Sequence, residues 1–152
     1  MPKFLRLPVR FLLPLLAAAV LCQSSLALAA DDESLAAHKV VIQVSVADPQ
    51  VHQMALNNAA NLQKALGPDN VDIEIVAYGP GLNIMTNRSP ESSRIPSMAM
   101  QNIVFSACGN TMRNQAQRMG REPQLVEGVR VVPAGVVRIM ELQEKGYTYI
   151  RP

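Results

Sequence analysis

The chain has 152 residues, a formal net charge of +2 and two cysteines, Cys22 and Cys108. That length supplies one hydrophobic core and is too short for two. No C-x-x-C pair occurs, which excludes thioredoxin-like dithiol exchange.

The N-terminus carries Lys3, Arg6 and Arg10 without an acid, then an apolar run from Phe11 to Cys22 broken by Pro14. Ala27-Leu28-Ala29 follows, just before Asp31-Asp32-Glu33. A basic start, a short apolar stretch and a small-residue site predict a cleavable secretory signal over residues 1–29. Residues 30–152 then form a single domain that is periplasmic or secreted. The apolar run is too short for a membrane span, so no membrane association is expected after cleavage. Three of the 14 basic residues leave with the signal, so 11 face 12 acids. A near-neutral domain argues against nucleic-acid binding. Cys22 leaves too, and Cys108 is left unpaired in an oxidising compartment. His38 and His52 have no partners at zinc-ligand spacing, and no metal or cofactor is expected.

Within the domain, Lys39–Val46 reads as a strand. Asp48-Pro49 supplies an N-cap and a first-turn proline for a helix with Val51, Ala55, Ala59, Leu62 and Leu66 on one face, ended by Gly67-Pro68. Val71–Ala77 is a second strand, whose alternation with Asp72 and Glu74 suggests a place near a sheet edge. The segment from Tyr78 to Asn102 opens with the turn Gly79-Pro80-Gly81. Its apolar Leu82, Ile84 and Met85 look exposed and suited to packing on another subunit, and partial helix is expected around Ser97–Met100. Ile103–Ala107, unbroken and apolar, is the natural centre of a parallel sheet. A helix from about Asn110 to Gly120 places Met112, Ala116 and Met119 inward. Met98 and Met100, like Met112 and Met119, look like core filler. Val129–Val132 is a strand, and Gly135–Lys145 a helix burying Val136, Ile139 and Met140 with a Glu141–Lys145 pair. Tyr147–Ile150 closes the chain as a strand. Strands alternating with helices through short links predict an α/β fold, three-layer α/β/α, with a mainly parallel sheet of about five strands.

Chemistry is expected at Phe105-Ser-Ala-Cys108-Gly-Asn-Thr-Met-Arg113. Cys108 leaves the C-terminal end of a strand just before a helix N-terminus, the edge where open α/β sheets bind ligands. Helix amides there favour the thiolate, the reactive form. Gly109 permits close backbone approach, Asn110 or Thr111 can cap the helix, and Arg113 is near enough in sequence to reach the thiol. Gly79 and Gly81 reach the same edge and suit a pocket wall. His52 near that edge could serve as a proton shuttle but reads more simply as a solvated helix-start histidine, and Asp48 is most simply a cap. A buried, inert cysteine is the competing reading of Cys108.

Ile103-Val-Phe-Ser-Ala-Cys-Gly-Asn-Thr-Met112 resembles the cysteine motif of the DsrE/DsrF-like family of sulfur-relay proteins. Tyr78-Gly-Pro-Gly-Leu82, Gly128-Val-Arg-Val-Val-Pro-Ala-Gly-Val136 and Glu141-Leu-Gln-Glu-Lys-Gly-Tyr147 are similar too. The resemblance spans about Lys39 to Pro152. It implies a homo- or hetero-oligomeric α/β/α domain in which Cys108 accepts sulfur as a persulfide and passes it to a partner protein. The leading expectation is thus a periplasmic sulfur carrier or sulfurtransferase-like protein. The alternatives are a non-enzymatic oligomeric module that binds a small anion or a partner protein, and a redox sensor that caps its thiol.

Overall fold

A computed structural model describes residues 35–152, so the expected signal over residues 1–29 lies outside the described residues. The elements run β1 (His38–Val44), α1 (Pro49–Leu66), β2 (Val71–Ala77), a 3-10 helix (Gly79–Met85), α2 (Arg94–Ala99), β3 (Ile103–Cys108), α3 (Gly109–Met119), β4 (Val129–Val132), α4 (Gly135–Glu144) and β5 (Thr148–Ile150). The five strands form one sheet in the order β4-β3-β2-β1-β5, and every pairing is parallel.

The order of the strands decides where the helices go. From β1 to β4 the chain steps repeatedly toward the same edge. Right-handed crossovers therefore put α1, the 3-10 helix, α2 and α3 on one face. Val40, Ile42 and Val44 of β1, Ile73 and Ile75 of β2, and Phe105 of β3 meet Leu56, Leu82, Ile84, Ile95 and Met112 there in one core. The β4–β5 connection instead crosses the whole sheet, which places α4 on the opposite face. A smaller cluster of Val41, Val76, Ile139 and Leu142 packs beneath it, with Tyr78 and Tyr147 alongside. The fold is α/β with helices on both faces.

Several local features follow directly from sequence. The Asp48 carboxylate accepts from the Gln50 amide at 2.8 Å and caps α1. Gly81 has no alternative residue, because a Cβ there would lie 2.3 Å from the Val44 carbonyl oxygen.

Other expectations are corrected. β2, placed near an edge by its alternation, is the central strand, and β3 lies beside it. Its acids reflect a second polar face that is covered rather than solvated. Leu82, Ile84 and Met85 are fully buried in the domain's own core, so this segment does not call for another subunit. The reason is the 3-10 helix, which turns all three inward. α2 begins at Arg94, earlier than expected. Met98 and Met112 are core residues, whereas Met100 and Met119 lie in water. On α4 it is Ile139 and Leu142 that are buried, while Val136 and Met140 are each 55 % exposed. Besides the pair expected with Lys145, Glu141 meets Arg138 at 3.4 Å, one turn back.

Candidate functional site at the β3–β4 switch point

After β3 the chain turns to the face of α3; after the neighbouring β4 it turns to the opposite face, into α4. Adjacent strands whose connections diverge in this way open a crevice at their C-terminal ends, the position where α/β sheets bind ligands. Cys108 sits there as the last residue of β3 and the N-cap of α3. Its thiol is free and the residue keeps 5 % of its surface.

Two helix N-termini converge on this sulfur. From α3 come the amides of Asn110 and Thr111 and the Thr111 hydroxyl; from α4 comes the amide of Gly135. Burial, the largest single influence, pushes the thiol up. The Thr111 hydroxyl, then the Gly135 amide and the two α3 amides, together outweigh it, and the thiol is held below its ordinary value. Thr111 is itself held in place: its Oγ accepts from the Gly79 amide at 2.9 Å. The Asn110 amide also reaches the Pro133 carbonyl at 3.2 Å, tying α3 to the β4–α4 turn. Close approach of α4 requires Gly135. A Cβ there would stand 3.2 Å from Cys108 Cβ and from Tyr78 Cβ and Cδ1.

The expected site residues are thus partly assembled. Thr111, Asn110 and Gly79 join the thiol. Gly109 is buried, and a Cβ there would stand 3.2 Å from the Val132 carbonyl oxygen, 3.3 Å from Val131 Cγ1 and 3.4 Å from Arg113 Nη1. Gly81 packs on the end of β1. Arg113 bonds the Asn110 side chain instead of the sulfur, because from one turn into α3 its guanidinium folds back onto the exposed Asn110 in the first turn of the helix. Cys108 is itself the N-cap, so neither Asn110 nor Thr111 caps the helix through its side chain. His52 is buried with Nε2 at 2.8 Å from the Val46 carbonyl, so it braces the segment after β1 and is not the solvated helix-start residue expected.

Sequence reasoning missed a polar cluster on the α4 face. The Glu74 carboxylate, 2 % exposed, receives Ser106 at 2.5 Å, Arg130 at 2.7 Å and both Nε and Nη2 of Arg138 at 2.9 and 2.8 Å. An acid within an otherwise buried strand was the available signal, since such a group demands cations. Burial pushes Glu74 up, and Arg138, Ser106 and Arg130 more than reverse it, so its carboxyl lies below the usual range.

A separate groove of about 640 Å³ runs between the 3-10 helix and the end of α3. Arg88, Arg118 and Arg121 line it with Asn83, Gln115 and Glu122, and Cys108 is not among its walls. No group of three or more potential metal-ligating side chains occurs among the described residues. No helix of the described residues is long and apolar enough to cross a membrane.

A solved structure titled as a protein of unknown function, MTH1491 from Methanobacterium thermoautotrophicum, is 34 % identical to this chain. The match covers 76 % of this chain and 99 % of that one, with a TM-score of 0.68. The chain belongs to the MTH1491 family. MTH1491 lies almost wholly within the match. No protein-family model matches the chain, and no curated protein does.

Proposed function

We propose that this MTH1491-family protein is an exported sulfur carrier, sulfurtransferase-like in its chemistry, with Cys108 as the sulfur-binding nucleophile. The observation that carries this reading is the convergence of two helix N-termini and the Thr111 hydroxyl on one unpaired thiol. That surrounding favours a sulfur anion, whether thiolate or persulfide. The resemblance of the Ile103–Met112 segment to the DsrE/DsrF-like cysteine motif points the same way.

The chemistry balances without an added oxidant. The Cys108 thiolate attacks the outer sulfur of a sulfane donor, R–S–S⁻. The new Cys108 S–S bond forms as the donor's S–S bond breaks, and RS⁻ leaves with the electron pair. An acceptor thiolate then attacks the terminal sulfur and releases Cys108 as thiolate. Export places the carrier in the periplasm or outside the cell, where the donor is a protein or small-molecule persulfide and the acceptor a protein or small-molecule thiol. Self-association is part of the proposal. Its surface is the outer side of α4, where Val136, Val137 and Met140 are 55 %, 50 % and 55 % exposed.

Intact-mass measurement tests the reading. After incubation with polysulfide and removal of excess, wild type gains one sulfur mass that dithiothreitol removes, and Cys108→Ser gains none. No gain in wild type with any sulfane donor refutes sulfur carriage. The binding-module reading then leads, supported by the arginine-lined groove, which suits a small anion.

A further inference from the structure

Glu74 is the only buried acid among the described residues, and sulfur chemistry at Cys108 makes no direct use of it. Its four donor contacts leave neither oxygen unsatisfied, and Arg130 Nε additionally donates to Ser106 Oγ at 2.9 Å. A buried ion pair seldom adds more stability than apolar packing would, so stability alone explains it poorly. Its placement explains it better. Arg130 lies on β4 before the Pro133-Ala134-Gly135 turn, and Arg138 lies on the first turn of α4 after it. Both guanidinium groups close on one carboxylate at the centre of the sheet. Ser106, the third donor, is two residues before Cys108 on β3 and shares its sheet face. Apart from this cluster, α4 rests on the small apolar patch of Val41, Val76, Ile139 and Leu142.

We propose that Arg130, Glu74 and Arg138 form a clamp that positions the N-terminus of α4, so that the Gly135 amide meets the Cys108 sulfur. Glu74 and Arg138 are positioning residues for the thiol, and the inference rests on the reading of Cys108 as the reactive group. The groups facing the sulfur are the Thr111 hydroxyl and the amides of Asn110, Thr111 and Gly135. Tyr78 packs beside Gly135, and Arg113 is turned to Asn110. By register Arg130 stands opposite Ser106, two residues short of Cys108, and Glu74 opposite Val104, four residues short of it, so the charges of the clamp lie back from the sheet's C-terminal edge.

Charge and position predict opposite signs for one substitution. Glu74→Gln removes a negative charge near a thiolate, which by Coulomb's law alone lowers the thiol's pKa. Loss of positioning withdraws the Gly135 amide and raises it. Arg138→Lys keeps the charge and loses the two-pronged fork, so only positioning changes.

The experiment is the rate of Cys108 alkylation against pH in the exported protein, with Cys108→Ser as blank. Losing one charge-assisted hydrogen bond raises the midpoint by about one pH unit, roughly tenfold less thiolate below it. That rise is expected for Arg138→Lys, and a rise is also expected for Glu74→Gln. An unmoved midpoint in Arg138→Lys overturns the clamp, as does a lowered one in folded Glu74→Gln. If Glu74→Gln does not fold, Arg138→Lys decides. Alkylation needs no sulfur donor, so the two ideas fail separately. A shifted midpoint without sulfur loading keeps the clamp and refutes carriage; loading without a shift does the reverse.

Discussion

The Thr111 hydroxyl bridges two elements: it accepts from the Gly79 amide at 2.9 Å and donates to the Cys108 sulfur. Thr111→Val keeps the branched shape and deletes this bridge. A hydrogen bond to a charged group contributes about 1.5–3 kcal/mol. At about 1.4 kcal/mol per pKa unit, its loss raises the thiol by roughly one to two units. The three amides remain, but burial, the largest single influence, is then opposed by less. At pH values below the wild-type midpoint thiolate falls about tenfold to a hundredfold, and the alkylation rate falls with it. The Gly79 N–H also loses its acceptor, which costs about 1 kcal/mol in a denaturant titration.

Linkage gives a second, signed readout. The folded thiol lies below its unfolded value, so the thiolate adds stability above about pH 8.5, and that stability is lost as pH falls through the folded value. The stability gap between wild type and Thr111→Val therefore widens from acid toward about pH 9. Alkylation profiles that superimpose, or a wild-type thiol titrating at or above the ordinary cysteine value, refute the reasoning.

Glu74 titrates below the usual carboxylate range when folded, so its stabilisation is full above about pH 4.3 and is lost as pH falls through the lower folded value. Urea midpoints measured down that range should fall for wild type, with that component missing in Glu74→Gln. Val137→Glu with Met140→Glu, both on the exposed side of α4, should convert any oligomer to monomer in light scattering without loss of folding; an unchanged mass moves the interface elsewhere. N-terminal sequencing of protein exported by the native host should begin near Ala30 or Asp31, and a start at Met1 in the exported fraction refutes the signal.

What the sequence determined was local. Asp48-Pro49 starts a helix wherever it lies, because the cap carboxylate and the fixed proline φ act within one turn. The strand-to-helix junction at Cys108 was legible for the same reason: an apolar run ending in Gly109 needs no distant partner to be read. The second half of the site was not. Gly135 lies 27 positions downstream, and only the β4–α4 crossover brings its amide to the sulfur. Tertiary structure likewise decided that β2 is central. Period-two alternation marks a polar face without saying whether water or Arg130 and Arg138 cover it. The inward turn of Leu82, Ile84 and Met85 was settled by packing, since short apolar runs carry no direction until a core exists to receive them.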